Sequence, residues 1–376
     1  MIGIEGRLLK IIIGAGMLAP AIIAGAQATS AHTVFVMSND VERNQVIAFD
    51  QHADGTFVED RRYDTFGRGT GGVNDPLESQ GSLTLSSDHS LLFAANAGSG
   101  EVTVFRVGNG RLEFAEKVQS GGAEPVSIAQ WGDRVYVLNQ GGPGSVAGFH
   151  LDHFGFLRPL DNSTAFLSAN AVGGSSISIS PDGHTIAVVE RAANNIDTFH
   201  VNSDGTLASA VVNASPGAGA FAAQFAPDGK LIVSETGAAG VTNGSAISSY
   251  TVGGDGKLTA VSQSVPTDGA ANCWNAISPD GKRVYGSNAG TSNIAGFSIN
   301  SDGSLTALAG TIVGANPSGA TNLDITISGD GKFLFSLNGE AGAVGVFAIS
   351  SDGSLTELEQ ADGLPKAAGF NGIAAL

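Results

Sequence analysis

Short apolar segments recur along the chain and are separated by turns that contain glycine. The clearest copy begins at Trp274: apolar segments 274–277, 283–287, 294–299 and 305–309 are joined by the turn 278–281, the loop 288–292 and the turn 301–303. In the first of these turns, Pro279 presets φ and Gly281 supplies a positive φ. Each copy therefore predicts four short antiparallel strands joined by tight turns.

The second of these turns recurs through the whole chain, with an average spacing of about 50 residues. Its seven copies are Ala53-Asp54-Gly55, Gly108-Asn109-Gly110, His153-Phe154-Gly155, Ser203-Asp204-Gly205, Gly254-Asp255-Gly256, Ser301-Asp302-Gly303 and Ser351-Asp352-Gly353. Four antiparallel strands in each repeat of this length are typical of the blades of a β-propeller.

The two ends of the repeat array indicate how the ring closes. First strands are predicted near Leu83, Val126, Ile177, Ala223, Ala276, Ile325 and Ile373. The array begins at a second strand, 34–37, and ends at a first strand, 372–376. We therefore expect an all-β, seven-bladed β-propeller over residues 32–376, in which the C-terminal strand pairs with the three N-terminal strands and removes the exposed edges.

Composition agrees with this architecture and excludes some functions. The chain has 376 residues, of which 54 are glycine, and charged residues make up 14%. The formal net charge is −17, which argues against nucleic acid and against anionic lipid as partners, because both require clustered lysine and arginine.

The first residues have the pattern of a secretory signal peptide. Arg7 and Lys10 precede an apolar segment, 11–24, and small residues follow it. We predict a signal peptide at residues 1–28, cleaved after Ala28 or alternatively after Ala31, and a mature protein that is secreted or periplasmic and has no membrane anchor. Cys273 is the one cysteine, so no internal disulfide can form.

The repeat also shows where individual blades depart from the common pattern. The seven residues at the ends of the second strands are Asn39, Asn96, Asn139, Glu190, Glu235, Asn288 and Asn338. The two glutamates belong to neighbouring blades, and Arg191 follows the first. One hypothesis places Glu190, Arg191 and Glu235 at the channel mouth as catalytic residues. The alternative is that each glutamate replaces asparagine as an acceptor for the loop backbone, with Arg191 neutralising Glu190.

Other polar or aromatic residues on the same face are candidates for substrate binding: Asn139, Gln224, Trp274, Asn275, Asn288 and Asn338. For Trp274 the alternative is packing between blades. Loops before the first strands add a polar rim that we expect to be mostly structural, including Asn74, Asp75, Glu78, Glu124, Asp324 and Asn371. No zinc-type histidine cluster, phosphate loop or nucleophile elbow occurs in the sequence, so we expect no metal and no cofactor.

Two segments carry a resemblance to a known family. They are Ile177-Ser178-Ile179-Ser180-Pro181-Asp182-Gly183 and Ser278-Pro279-Asp280-Gly281-Lys282-Arg283-Val284-Tyr285. From about residue 33 to residue 376 the chain resembles an exported branch of the bacterial lactonase-type seven-bladed propellers, the group with the propeller 6-phosphogluconolactonases and the carboxymuconate-cyclising enzymes.

The resemblance implies a lactone or sugar-like small molecule as ligand, bound at the channel mouth. Family enzymes tend to place histidine at the start of first strands, whereas this chain has Glu124-Pro125-Val126, Ala220-Phe221-Ala222 and Cys273-Trp274 there. Only Glu190, Arg191 and Glu235 can therefore be carried over from the family's catalytic group.

Two functions follow from the sequence, and it leaves both open. One is a lactone hydrolase or a muconate-type cycloisomerase that uses carboxylates at the channel mouth. The other is a non-catalytic exported propeller that binds a glycan, peptide or protein partner. The first requires Glu190 and Glu235 to approach within about 6 Å, since carboxylates perturb each other only when they are close.

Overall fold

The computed structural model describes residues 1–3 and 32–376. The predicted signal peptide, except for its first three residues, and both candidate cleavage positions lie outside the described residues. In the part of the chain that the structure describes, no helix is long and apolar enough to cross a membrane.

Within residues 32–376, twenty-nine strands form seven antiparallel sheets. The first three blades contain β1 (Thr33–Met37), β2 (Gln45–Gln51), β3 (Phe57–Asp64); β4 (Leu83–Leu85), β5 (Leu91–Asn96), β6 (Glu101–Gly108), β7 (Arg111–Gln119); and β8 (Pro125–Trp131), β9 (Arg134–Asn139), β10 (Ser145–Leu151), β11 (Leu157–Pro159), β12 (Ala165–Phe166). Blades 4 and 5 contain β13 (Gly174–Ile179), β14 (Thr185–Glu190), β15 (Asn195–His200), β16 (Val211–Ala214); and β17 (Ala220–Phe225), β18 (Leu231–Glu235), β19 (Ala246–Val252), β20 (Leu258–Pro266). Blades 6 and 7 and the last strand are β21 (Asn272–Ile277), β22 (Arg283–Asn288), β23 (Asn293–Ile299), β24 (Leu305–Ala315); β25 (Asn322–Ile327), β26 (Phe333–Asn338), β27 (Ala343–Ile349), β28 (Leu355–Asp362); and β29 (Ile373–Ala375).

The predicted ring closure is confirmed. Strand β29 pairs antiparallel with β1, with Ala375 opposite Val34 and Ile373 opposite Val36, so the first blade has the order β29-β1-β2-β3. The innermost strands β29, β4, β8, β13, β17, β21 and β25 contact one another in succession around the axis. The all-β, seven-bladed prediction therefore holds, with each of the seven predicted first strands as the innermost strand of its blade.

The turn chemistry explains why the sequence repeats so regularly. In the Ser-Asp-Gly turns, the aspartate Oδ1 accepts a backbone N–H two residues later, as in Asp204 to Thr206 (3.0 Å) and Asp352 to Ser354 (3.0 Å). The following glycine adopts φ near +84° in Gly205, a conformation that side chains disfavour. Each turn therefore forms from local sequence alone, and it sets the register of the third and fourth strands.

The core lies in the inner strands and between the blades. All six residues of β5 are buried, whereas Leu112 is the one buried residue of the nine in the outer strand β7. Fully buried aromatic rings, among them Phe93, Phe199 and Phe297, fill the spaces between sheets. The propeller therefore has several apolar clusters around a polar axis.

Two blades depart from the regular pattern. In blade 3 the outer position is divided between β11 and β12, which both pair with β10. In blade 4 the outer strand β16 begins only at Val211, although the preceding turn ends at Gly205. The sequence repeat did not predict either interruption, because the turns on both sides keep their normal spacing.

Candidate functional site

The asparagines at the ends of the second strands fasten loops to the sheets. Asn288 accepts the Thr267 hydroxyl (2.9 Å) and donates to Asn293 (2.8 Å), and Asn139 donates to the carbonyl of Ser120 (3.2 Å). All five asparagines are fully buried. Asn139, Asn288 and Asn338, which we predicted as substrate-binding residues, therefore have their amides in protein contacts.

Asn338 shows how completely this position is used. Its amide donates to Asn316 (2.8 Å) and Gln360 (2.6 Å), and its carbonyl oxygen accepts from Ser336 (3.0 Å). A side chain with this set of partners has little capacity left for a ligand.

Glu190 occupies the same position in blade 4. Its carboxylate accepts the backbone N–H of Ser168 (2.7 Å) and also the Ser168 hydroxyl. The neighbouring Asp197 on β15 is fully buried, and neither of its carboxyl oxygens accepts a hydrogen bond within residues 32–376. Burial, and then the charge of Glu190, raise the pKa of Asp197. The two acids therefore share a buried environment inside the blade.

Glu235 occupies the equivalent position in blade 5. It accepts the Ser248 hydroxyl (2.5 Å), and a Cβ on Gly217 would collide with its carboxylate. The side chain is fully buried, and burial raises the pKa of Glu235. Gly217 therefore lets the loop pass directly over the carboxylate.

The two glutamates have separate hydrogen-bond partners in two blades. Glu190 lies against Ser168 and Asp197 in one blade, while Glu235 lies against Ser248 in the next, and no hydrogen bond joins them within residues 32–376. Glu190 accepts a loop N–H as the loop-acceptor alternative expects, whereas Glu235 accepts a hydroxyl from strand β19 and Arg191 pairs with Glu78 instead of Glu190. A catalytic role for Glu190 and Glu235 stays a hypothesis.

Within residues 32–376, Arg191 forms no ion pair with Glu190. Its guanidinium forms an ion pair with Glu78 and is also close enough to Asp75 and Cys273 to interact with them electrostatically. The side chain is 30% exposed, and partial burial lowers the pKa of Arg191. Arg191 therefore belongs to the propeller axis rather than to blade 4.

A segment of the β3–β4 connection, residues 75–81, crosses the axis, and we call it the axial plug. Its Gln80 donates from Nε2 to the carbonyl of Asn275 (2.9 Å) and to the Asp324 carboxylate (2.9 Å). The backbone N–H of Gln80 donates to Ser175 (2.9 Å), and the Ser127 hydroxyl donates to the Gln80 carbonyl (2.5 Å). The axial plug is therefore bound by four blades, and it divides the central channel.

Three predicted binding residues lie at the plug or on its far side. Trp274 is 1% exposed, donates from its indole to the carbonyl of Ser79 (2.8 Å), and packs edge-on against Phe221. Asn275 is buried beneath Gln80. Gln224 lines a cavity of about 500 Å³ on the other side of the plug, which opens between the Pro-Asp-Gly turns. Trp274 therefore packs in the interior, in agreement with the alternative considered for it.

Two carboxyl groups with perturbed pKa values lie at the plug, Asp75 as its first residue and Asp324 in contact with Gln80. Asp75 accepts from the Asn371 amide (2.9 Å); burial raises the pKa of Asp75 well above its ordinary value, nearby Asp324 adds to this, and Arg191 opposes it. Burial raises the pKa of Asp324 to about 7 although it accepts from Gln80. We call Asp75, Glu78, Arg191, Cys273 and Asp324 the axial cluster.

The axial cluster places Asp75, a carboxyl group whose pKa is raised by burial, near a guanidinium that is fixed by its ion pair with Glu78. Asp75 can take or give a proton, while Arg191 can hold a negatively charged oxygen. The mouth around it is polar, since Asn74 donates to Glu340 (2.5 Å) and Gln140 donates to Glu124 (3.0 Å).

The sequence named Asp75, Glu78 and Asp324 as rim residues but did not select them. Their signal was the β3–β4 connection itself, from 65 to 82, which is the longest stretch between consecutive strands of residues 32–376. A long connection in an otherwise regular array is commonly functional.

The sequence profile described as "Lactonase, 7-bladed beta-propeller" matches residues 31–172 and 235–366. This chain belongs to that lactonase family. The predicted resemblance is confirmed at the level of the family and its fold. The unmatched interval, residues 173–234, contains Glu190 and Arg191, and Glu235 begins the second matched segment.

Solved structures of similar shape include several bacterial propellers. The periplasmic gluconolactonase of Pseudomonas aeruginosa is 21% identical with a TM-score of 0.66, covering 90% of this chain and 98% of its own. A proposed 6-phosphogluconolactonase from Bacteroides uniformis is 21% identical with a TM-score of 0.67, covering 92% and 99%. A protein from Lactobacillus plantarum is 18% identical with a TM-score of 0.67, covering 92% and 99%. At these identities the likeness shows the fold alone. No curated protein matches this chain.

Proposed function

We propose that this lactonase-family propeller hydrolyses a sugar lactone at the axial cluster. The observation that carries the proposal is the placement of Asp75, whose pKa is raised, within the field of Arg191 and beside the mouth of the channel. Family membership and the likeness to a gluconolactonase support a lactone as the substrate.

In this proposal Asp75 acts as the general base. Its carboxylate takes a proton from water, the oxygen attacks the lactone carbonyl, and Arg191 stabilises the resulting oxyanion. The ring C–O bond then breaks, and the proton on Asp75 passes to the leaving alkoxide. Lactone and water become one hydroxy acid, with no other reactant required. Glu78 orients Arg191 through their ion pair.

The charges at the mouth favour an uncharged lactone. Glu78, Glu124 and Glu340 lie on this face, and the cation in the axial cluster is Arg191, already paired with Glu78. A phosphorylated sugar would bring two further negative charges, and the axial cluster has no second basic group to receive them. An unphosphorylated aldonolactone fits these charges better.

The leader-like first residues support export, so we place this activity in the periplasm or outside the cell. The named location of the Pseudomonas aeruginosa neighbour agrees with that proposal. Detection of the mature protein in a cell fraction, with its N-terminus determined by mass spectrometry, would test the predicted cleavage after Ala28.

The experiment compares glucono-1,5-lactone with its 6-phosphate in a pH-stat assay, after subtraction of spontaneous hydrolysis. We expect turnover of the unphosphorylated lactone, with kcat/KM rising with pH as Asp75 loses its proton. Asp75→Asn should lower kcat by about 100-fold or more, the range typical of a general base. Asp228→Asn, on the opposite face, is the matched control.

Full activity in Asp75→Asn would overturn the base assignment while leaving a lactonase. No turnover of any lactone by stable wild-type protein would overturn the proposed function itself and favour the non-catalytic alternative.

A further inference from the structure

Phe66 combines two unfavourable features at one residue. Its backbone has φ of +58°, the left-handed region that bulky side chains avoid, and its side chain is 58% exposed. It directly follows Asp64 and Thr65 at the start of the β3–β4 connection. A strained backbone that presents an apolar ring to water is a reason to look for a function.

The surroundings hold this ring rigidly in place. The backbone N–H of Phe66 donates to the Asp64 carboxylate (2.7 Å), and its carbonyl accepts from Lys117 (2.7 Å). Phe114 supports the ring from one side in an edge-to-face contact, with ring centroids 4.7 Å apart. Both ends of the residue are therefore fixed while the ring remains exposed.

The ring forms part of the wall of a cavity of about 540 Å³, which is a normal size for a small-molecule site. Six charged residues line the same cavity: Glu42, Arg43, Asp64, Arg68, Glu101 and Lys117. They comprise three acids and three bases, so the lining is formally neutral although the chain carries −17.

Four of these six charged side chains form ion pairs with each other, and two do not. Arg43 pairs with Asp64 (2.5 Å), and Lys117 pairs with Glu101 (2.9 Å). Within residues 32–376, the Arg68 guanidinium and the Glu42 carboxylate have no side-chain partner. The cavity therefore offers one free donor group and one free acceptor group beside an exposed aromatic face.

We propose that this cavity, named the Phe66 site, binds a neutral pyranose of an oligosaccharide. The C–H bonds on one face of a sugar ring are weakly positive and pack on the negative face of an aromatic ring. Hydroxyl groups need both donors and acceptors at the ring edge, which Arg68 and Glu42 supply. An anionic or cationic ligand would instead require an excess of one sign of charge in the lining.

The proposal does not depend on lactone hydrolysis. The Phe66 site and the axial plug are two parts of the same β3–β4 connection, but they share no residue. A sugar bound here would hold a polysaccharide against the face of the propeller that carries the axial cluster. The Phe66 site would therefore be an attachment site for the sugar, and no second reaction takes place there.

The test measures binding of three probes to the full-length mature protein by calorimetry: cellohexaose and maltohexaose, which are neutral, and hexagalacturonate, which is anionic. We expect binding of at least one neutral hexaose. Phe66→Asn, which tolerates the left-handed backbone, should weaken that binding about tenfold or more and leave the melting temperature unchanged or raised. Arg68→Gln should also weaken it.

Phe154→Asn is the matched control, because Phe154 is 60% exposed and lies on the opposite face. It should bind the sugar like the wild type. Failure of both neutral probes, tighter binding of hexagalacturonate, or undiminished binding in both Phe66→Asn and Arg68→Gln would overturn the proposal. Lactone turnover should be the same in wild type and Phe66→Asn, which separates this test from that of the axial cluster.

Discussion

Blades 4 and 5 make the same substitution and compensate for it differently. Both end their second strand in a buried glutamate where five blades have asparagine. In blade 5 the third strand offers Ser248, a neutral hydroxyl that donates to Glu235. In blade 4 the corresponding residue is Asp197, which can donate to Glu190 only if it carries a proton. A hydrogen bond between the two acids of blade 4 therefore requires a proton, whereas the bond from Ser248 to Glu235 in blade 5 does not.

The comparison also shows why an unusual acid need not be a catalytic one. In blade 2 the same two positions are Asn96 and Thr103, and the asparagine donates to the threonine (2.9 Å). A polar residue at the strand end is thus matched by a polar residue on the third strand in all three blades. The two glutamates belong to this structural pairing, whereas Arg191, the next residue after Glu190, belongs to the axial cluster.

The largest effect on stability should come from giving blade 5 the partner found in blade 4. Ser248→Asp places a second carboxylate beside Glu235 and removes its donor, so we expect a loss of about 3 kcal/mol or more at pH 8. The loss should shrink at pH 5, where one of the two acids is protonated. Chemical denaturation at both pH values measures it, and Ser209→Ala serves as an exposed control. Equal losses at the two pH values would contradict the pairing.

The reverse change in blade 4 should be favourable. Asp197→Asn supplies a permanent N–H donor to Glu190 with almost the same shape, so the pair no longer needs a proton. We expect the variant to unfold at a higher urea concentration than the wild type at pH 8, and to differ little at pH 5. A variant that is less stable at pH 8 would show that Glu190 and Asp197 interact in another way.

A smaller effect should be visible in the wild type. Asp197 and Asp324 have folded-state pKa values above their unfolded values. At pH values between the unfolded and the folded pKa, the folded protein therefore binds more protons than the unfolded chain. Their stabilising contribution is complete below about pH 4 and is lost as the pH rises, for Asp324 through about 7. We expect the melting temperature to fall from pH 6 to pH 9, and to fall less in Asp197→Asn. A rise over that range would contradict these shifts.

The sequence predicted the blades because each turn is a local event. Asp204 and Gly205 form their turn from neighbouring atoms, and the same Asp-Gly chemistry recurs in five of the seven blades. The axial plug was not predictable in this way, since Gln80 is fixed by Asn275 and Asp324, residues 195 and 244 positions away. The sequence also located Glu235 at a strand end, but the direction of its side chain depends on Gly217 leaving room above it.

The most direct test of the axial-cluster assignment compares Glu190→Gln with Arg191→Gln, two adjacent residues, in the lactone pH-stat assay. Arg158→Gln, a 54% exposed arginine away from the axis, is the control for loss of a guanidinium. We expect Glu190→Gln to keep most of the wild-type kcat/KM. We expect Arg191→Gln to lose about 100-fold or more, because the oxyanion is no longer stabilised. Loss of activity in a stably folded Glu190→Gln, with activity kept in Arg191→Gln, would contradict the axial-cluster assignment. It would instead favour catalysis by the buried glutamates.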